Sequence, residues 1–346
     1  MKFQYGLLII CLLIGFQGSA QVKNIRLAEL NSSGQVNGLS IVVNPRDPRN
    51  WVSAVTADHI YYTVDAGATW QRSQLSNAEN MFGGSRLVVN DKGEFFLFHI
   101  SGKQGNGVVV CRGSKDGGKT WDDGIVIYTA VPKDQQMPGA AIDDKGNLFV
   151  TWAQLDMATS QDQNCLSSIQ FSTSSNGKKW SKPVELSQTL GNCSNGDNTV
   201  AGAMPAVSHD GKVFAGWANQ GKLFLDRSFD GGSMWLRNDI AITKQSGGWE
   251  QQIPGHGRIN SFPVLQLDRA KLSPARGSLF LTWADQRNEG DTDIWFLRSV
   301  NFGDYWTSPL NVHNDELGTH QYAPWMAVDQ SSGYVYVIYF SQQERE

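Results

Sequence analysis

The sequence lacks the features of a membrane protein or a nucleic-acid-binding protein. Its one long apolar run, Gly6 to Phe16, is well short of the ~20 residues that cross a bilayer. Lys and Arg number 29 against 33 Asp and Glu, for a net charge of −4, so there is no basic footprint for nucleic acid or for an anionic membrane. We therefore expect no membrane insertion and no nucleic-acid partner.

The N-terminal residues have the pattern of an export signal. Lys2 precedes the apolar run, and the small residues Gly18, Ser19 and Ala20 follow it, which is typical of a secretory signal peptide. We predict that residues 1–20 are this signal peptide. Residues 21–346 are then expected to form a single secreted or periplasmic domain, and we expect a monomer.

Cysteine is also scarce. One of the four cysteines lies in the predicted signal peptide, and an oxidising compartment permits one pair among the other three. Cys165 and Cys193 lie in polar, Asn-rich sequence, whereas Cys111 ends an apolar run, so Cys165 with Cys193 is the candidate disulfide. No zinc-ligand spacing, phosphate-binding glycine motif or nucleophile elbow is present. We therefore expect no cofactor.

A helical apolar period is missing throughout, while glycine (36) and tryptophan (12) are plentiful, which favours an all-β fold. Short windows that end in tryptophan recur about every 50 to 70 residues, a spacing typical of a propeller or solenoid. The five windows are TVDAGATW (63–70), SKDGGKTW (114–121), TSSNGKKW (173–180), SFDGGSMW (228–235) and SVNFGDYW (299–306).

Two apolar strands around an Asp/Gly turn precede most windows, as in QMPGAAIDDKGNLFVTW (136–152). One repeat then provides four antiparallel strands, with the window between the third and the fourth. Because the last repeat shows only two strands, we expect residues 22–31 to dock on it and close the ring. We predict a β-propeller of six blades of four antiparallel strands, at 38–75, 84–130, 138–188, 203–243, 261–312 and from Tyr322 onward.

The windows resemble the Asp-box, or BNR repeat, of sialidases and related secreted propellers. Two copies match S/T-x-D-x-G-x-T-W at every specified position, and two others have Ser175 and Asn301 in place of Asp. The acidic and hydroxyl side chains can bond to the turn backbone, Gly permits positive φ, and Trp packs between blades. These roles are structural, and they fall to Asp65, Trp70, Asp116, Trp121, Trp180, Asp230, Trp235 and Trp306.

Resemblance to sialidases also implies a catalytic set: three arginines that grip a carboxylate, a tyrosine nucleophile partnered by a glutamate, and an aspartate acid/base. Tyr322 opens the last inner strand, at the position that resembles the nucleophile, and Glu250 is its candidate partner. No blade carries the arginine that leads the inner strand in sialidases. The acid/base candidates are Asp291 and Asp293, and the substrate-binding candidates are Arg86, Arg258, Arg287, Asp285 and Trp325.

The resemblance implies a glycoside hydrolase acting on an extracellular glycan. Two alternatives stay open: a non-catalytic propeller that binds glycan or protein, and a polysaccharide lyase with His256 or His320 as base, beside an arginine that neutralises a uronate carboxylate. Calcium is the one metal that an acidic cluster in this sequence could suit, although the cluster is also typical of a solvated loop. Its members are Asp285, Glu289, Asp291 and Asp293.

Overall fold

The computed structural model describes residues 25–27, 39–77, 80–103, 105–130, 132–156, 164–193, 196–288, 291–313 and 318–342. In these residues the regular structure is β-strand apart from one 3-10 turn at Gly196–Asn198. None of them forms a helix long and apolar enough to cross a membrane. The predicted signal peptide lies outside the described residues, as does the predicted closing segment 22–31 except for residues 25–27, which are not in a strand.

The strands are numbered in chain order. They are β1 Ser40–Val43, β2 Trp51–Ala54, β3 Ile60–Thr63, β4 Gln71–Arg72, β5 Gln74–Leu75, β6 Met81–Val89, β7 Phe95–Lys103, β8 Asn106–Ser114, β9 Thr120–Trp121, β10 Ile125–Tyr128, β11 Asp134–Ile142, β12 Leu148–Leu155, β13 Leu166–Ser174, β14 Val184–Glu185, β15 Gly191–Asn192, β16 Ala201–Val207, β17 Val213–Asn219, β18 Lys222–Ser228, β19 Ile240–Lys244, β20 Glu250–Ile253, β21 Gly257–Asn260, β22 Val264–Leu267, β23 Leu279–Asp285, β24 Asp293–Ser299, β25 Leu310–Asn311, β26 Gln321–Val328 and β27 Val335–Ser341.

Five antiparallel sheets each carry four strands in sequential order, and these are blades 1 to 5 of a β-propeller. Blades 1 to 5 are formed by β1–β4, β6–β7–β8–β10, β11–β14, β16–β19 and β22–β25, respectively. The first strands of successive blades contact one another, so they line the axis. This confirms the predicted all-β propeller and the four-stranded blades.

The predicted number of six blades is wrong, because the described residues form five. Of the strands outside these blades, β15 pairs with β13, β5 pairs with β9, β20 pairs with β21, and β26 and β27 pair only with each other. β26 contacts β22 of blade 5 as a first strand would. The two strands that the sequence predicts after Tyr322 form a hairpin like the first one of a blade. No third strand or tryptophan window follows them in the described part of the chain. We call β26 and β27 the two-stranded unit.

The tryptophan windows lie between the third and fourth strands, and the last four pack against the blade before them. Four window glycines have positive φ, and a Cβ on any of them would lie 3.0 Å or less from a side chain of the preceding blade, closer than Cβ contacts normally allow. A glycine is therefore required for this close approach. The pairs are Gly118 with Val52, Gly177 with Phe96, Gly232 with Phe171 and Gly303 with Leu225.

Short polar side chains hold the window turns, but the third window differs from its expected register. In the first window, Asp65 accepts the Thr69 amide at 2.9 Å and the Thr63 hydroxyl at 2.6 Å. In the third, Asn176 accepts the amides of Lys178 and Lys179. The expectation that Ser175 replaces Asp is therefore wrong, because the turn shortens by one residue.

The antiparallel strand order places the turns at two opposite ends of the propeller axis. Turns between first and second strands, and the tryptophan windows, lie at one end, which we call the hairpin end. Turns between second and third strands, and the connections between blades, lie at the other, which we call the loop end. The disulfide between Cys165 and Cys193, with 5.4 Å between Cα atoms, lies at the loop end of blade 3, while Cys111 is a buried free thiol.

Candidate functional site

Four of the axis-lining strands are bulged toward the loop end. Their register shifts lie between Phe82 and Arg86 in β6, Gln136 and Gly139 in β11, Ala201 and Met204 in β16, and Tyr322 and Trp325 in β26. Each bulge contains a residue with positive φ, and two of these, Met137 and Ala323, are not glycine. Bulges re-aim side chains and are frequent beside active sites. The loop-end half of the axial channel is therefore the candidate site.

Arg86 and Trp325 meet after two of these bulges. The guanidinium carbon of Arg86 lies 4.4 Å from the centroid of a Trp325 ring. Their strands belong to blade 2 and the two-stranded unit, so the contact joins two different parts of the ring. Burial lowers the pKa of Arg86 to about 10, which still leaves the side chain cationic at neutral pH. The structure thus brings two predicted substrate-binding residues together.

An antiparallel hairpin, β20–β21, precedes blade 5 and carries Glu250 and Arg258. Trp249 donates its indole N–H to the Thr199 carbonyl at 3.0 Å, and the Glu250 amide donates to Asp197 Oδ1 at 3.0 Å. Arg258 Nε lies 3.0 Å from Glu250 Oε1. The sequence prediction missed Trp249, although its place directly before Glu250 in GGWEQQ was a usable signal. Glu250 is therefore an ion-pair partner of Arg258 in this structure.

The tip of this hairpin reaches the start of β26. The rings of His256 and Tyr322 have centroids 5.3 Å apart, and Tyr322 also stacks on Phe340 at 5.8 Å. Tyr322 is buried and His256 is exposed. Glu250 and Tyr322 make no hydrogen bond to each other in the described part of the structure. The geometry thus places a histidine ring beside the tyrosine, and the pairing of Tyr322 with Glu250 stays a prediction.

Arg287 is held tightly at the loop end of blade 5. Its Nε and Nη2 donate to both oxygens of Asp285, the shortest contact being 2.6 Å, and Nη2 also donates to the Lys244 carbonyl. The guanidinium stacks on Trp283 at 5.1 Å and on Trp295 at 4.6 Å. Asp285 additionally accepts the Trp283 indole N–H at 2.8 Å. These bonds hold both side chains in place at the end of blade 5.

Asp291 and Asp293 are both buried beside the segment that leads into β26. Asp291 Oδ2 accepts the Gly318 amide at 2.7 Å, whereas its buried Oδ1 has no partner among the described residues. Asp293 contacts His313 Nε2 at 3.3 Å and accepts the Asn288 amide N–H at 2.5 Å. Of the two, Asp291 keeps the more available oxygen.

His320 and the acidic cluster complete the predicted set. His320 Nδ1 accepts the Thr292 amide at 3.2 Å, so this ring is tied to blade 5. Glu289 lies outside the described residues. No group of three or more His, Cys, Asp or Glu side chains in the described ranges is arranged to hold a metal ion.

Comparison with solved structures finds carbohydrate-active β-propeller enzymes. One is the GH93 α-L-arabinofuranosidase of Fusarium graminearum in complex with arabinobiose, with 13% identity, a TM-score of 0.54, and 86% of each chain covered. Another is a PL25 ulvan lyase bound to -[GlcA(1-4)Rha3S]-, with 11% identity, a TM-score of 0.53, and 85% of this chain and 74% of that chain covered. No known family and no curated protein matches the sequence. The likeness is one of fold, a propeller architecture shared with carbohydrate-active enzymes.

Proposed function

We propose that this chain is a secreted carbohydrate-active enzyme that binds an extracellular glycan at the loop end of the propeller axis. The observation that carries the proposal is the contact between Tyr322 and His256 above the bulged strands of the channel. Both side chains can move a proton, and Arg258 lies on the same hairpin as His256. The propeller fold, shared with a glycosidase and a lyase, supports a polysaccharide substrate.

The chemistry that this pair suits best is β-elimination at a uronate. A base takes the proton at C5, its electron pair forms the C4=C5 double bond, the C4–O bond breaks, and an acid protonates the departing oxygen. His256 is the base and Tyr322 the proton donor, while Arg258, on the same hairpin as His256, neutralises the carboxylate so that the C5 proton is easier to remove.

Hydrolysis is the second candidate. It is favoured by Asp291, whose Oδ1 is free of partners among the described residues, because a glycosidase needs a carboxyl group that can exchange a proton with the leaving oxygen. In this candidate Tyr322 is the nucleophile, with Glu250 as the group that activates it. Glu250 would first have to leave its ion pair with Arg258.

The test is digestion of uronate-containing and neutral polysaccharides by the wild type and four variants. We expect Tyr322→Phe and His256→Ala each to lower kcat/KM about 100-fold or more, as loss of a general acid or base does. Tyr305→Phe is the matched control, because Tyr305 is 79% exposed at the hairpin end. Asp291→Asn is the fourth variant.

The products decide between the candidates. Elimination yields unsaturated sugars that absorb in the ultraviolet, and these contradict hydrolysis. New reducing ends without absorbance, lost in Asp291→Asn, contradict elimination. If the protein retains glycan without forming any product, it is the non-catalytic binding propeller instead. Activity equal to wild type in both Tyr322→Phe and His256→Ala contradicts the assignment of Tyr322 and His256 as the catalytic pair.

We further propose that the tryptophan windows are Asp-boxes and that the chain is exported. The hydrogen bonds of Asp65 with Thr63 and Thr69 support the first proposal. The Cys165–Cys193 disulfide supports the second, because such bonds persist in oxidising compartments.

A further inference from the structure

Arg86 is a charged side chain inside the axial channel whose polar atoms are not all paired. Its Nε and Nη1 are buried and make no hydrogen bond to any described residue. The residue as a whole is half-buried, so part of its surface remains accessible. The Trp325 ring covers one face of the guanidinium at 4.4 Å.

No described acidic group compensates this charge. Burial alone shifts the pKa of Arg86, and no carboxylate contributes to the shift. The other candidate arginines differ, because Arg258 is paired with Glu250 and Arg287 with Asp285. A buried charge without a partner is costly, and native proteins compensate it by pairing or by binding an ion or ordered water.

Two strand bulges lie directly before Arg86 and Trp325. In β6 the ladder with β7 is interrupted between Phe82 and Arg86, and in β26 the ladder with β27 is interrupted between Tyr322 and Trp325. Arg86 and Trp325 are the first residues to resume pairing after each interruption. Trp325 lies three residues after Tyr322 in β26, on the other side of the bulge, and its contact with Arg86 involves neither Tyr322 nor His256.

We propose that Arg86 and Trp325 form an anion-binding site in the axial channel that takes a small oxyanion, a carboxylate or sulfate group. The guanidinium donates charge-assisted hydrogen bonds to the oxyanion, as arginine does to such planar or tetrahedral acceptors. Trp325 holds the guanidinium plane by a cation–π contact. The oxyanion can come from free salt or from an acidic sugar of the glycan, and the site does not depend on the proposed catalysis.

Thermal unfolding of the full chain tests this site. The wild type, Arg86→Met and the control Arg237→Met, which changes an exposed arginine, are each measured with sodium sulfate, sodium glucuronate, or glucose at matched ionic strength. We expect sulfate or glucuronate at saturation to raise the Tm of the wild type and of the control by about 2–5 °C. We expect glucose to have no such effect.

Arg86→Met separates the site from general effects of salt. It should raise the Tm without anion, because an apolar side chain replaces an unpaired buried charge, and it should lose the anion-dependent part of the shift. An Arg86-dependent response to sulfate alone identifies free anion as the source, and one to glucuronate alone identifies an acidic sugar. Both support the site.

The proposal is overturned if the wild type shows no anion-dependent shift, or if Arg86→Met keeps the whole shift. If Arg86→Met does not fold, Arg86→Gln and calorimetric titration of the wild type with sulfate and glucuronate replace it, with the same outcomes. Because His256→Ala should keep anion binding while losing activity, failure of the proposed reaction is distinguishable from failure of this site.

Discussion

Asp226 is a buried carboxyl group whose ionisation should lower the stability of the fold. It is fully buried on β18, where Oδ1 accepts the amides of Arg227 and Leu236 and Oδ2 has no partner in the described part of the chain. Burial, together with repulsion from Asp239, raises the pKa of Asp226 to about 7. The folded protein therefore holds this proton more tightly than the unfolded chain does.

The stability of the wild type should fall as pH rises through this range. The contribution of Asp226 is fully present below its unfolded pKa of 3.8 and is lost as pH rises to about 7. Asp226→Asn keeps an acceptor for the two amides and has no ionised form, so we expect it to be about 1–3 kcal/mol more stable than the wild type at pH 8 and nearly equal at pH 4. Urea unfolding at both pH values measures this.

Asp91→Asn, an exposed change, serves as the control and should leave the free energy of unfolding unchanged at both pH values. Equal stability of Asp226→Asn and the wild type at pH 8 would contradict the assignment of a destabilising ionised carboxylate. The sequence alone could not single out Asp226, because nothing in its neighbourhood along the chain indicates that it is buried or that Asp239 lies close.

At the level of secondary-structure elements, the tryptophan windows join neighbouring blades through direct packing contacts. The last four windows each carry a glycine that packs against the blade before it, whereas a Cβ on the glycine of the first window, Gly67, would meet Trp51 of its own blade. No complete blade precedes blade 1 in the described residues, so the window of blade 1 lacks the contact between blades that the other four windows make. The windows therefore stabilise the ring through contacts between sheets as well as through their turns.

Two adjacent glycines allow the energy of this contact between blades to be measured separately from backbone strain. Gly231 and Gly232 both have positive φ, but a Cβ on Gly231 meets open space, whereas one on Gly232 would lie 2.5 Å from Phe171. We expect Gly231→Ala to cost about 1–2 kcal/mol of unfolding free energy from backbone strain alone. Gly232→Ala should cost a further ~1–3 kcal/mol, because it overpacks the interface. If urea unfolding shows that both variants lose the same free energy of unfolding, the packing between Gly232 and Phe171 is not tight.

The windows also show what local sequence can predict. Gly177 and Trp180 stay in register with the other copies, so alignment on tryptophan places the third window correctly. It cannot show that Asn176 is the side chain that bonds the turn, because a turn one residue shorter moves the polar position without moving the glycine or the tryptophan.

At the scale of the whole molecule, the ring combines five complete blades with a two-stranded unit. One face of that unit packs on blade 5, where Met326 is fully buried. The other face exposes four large apolar side chains, Tyr334, Tyr336, Ile338 and Phe340. This asymmetry is the direct result of a blade that has only its first two strands in the described residues.

Substitutions on the two faces measure that asymmetry. Met326→Ala should cost about 2–5 kcal/mol of unfolding free energy, because it leaves a cavity in the core. Ile338→Ala should cost less than about 1 kcal/mol, because Ile338 is 67% exposed. Chemical denaturation of both variants provides the comparison. A loss at Ile338 as large as that at Met326 would mean that this face is covered in solution and that the unit belongs to a fuller blade.

Local sequence pattern was enough to predict the all-β propeller, the four-stranded blades and the positions of the five windows. These features depend on short-range signals: alternation of apolar residues, turn glycines, and a tryptophan at a constant offset. The number of blades and the partner of each candidate side chain depend instead on contacts that form only in the folded chain. Arg86 with Trp325, Tyr322 with His256, and Glu250 with Arg258 are contacts set by strand bulges and by a hairpin between blades. Arg86 and Trp325, like Tyr322 and His256, are far apart in the chain, and Glu250 meets Arg258 only because β20 and β21 pair as a hairpin, so no residue spacing alone encodes these contacts.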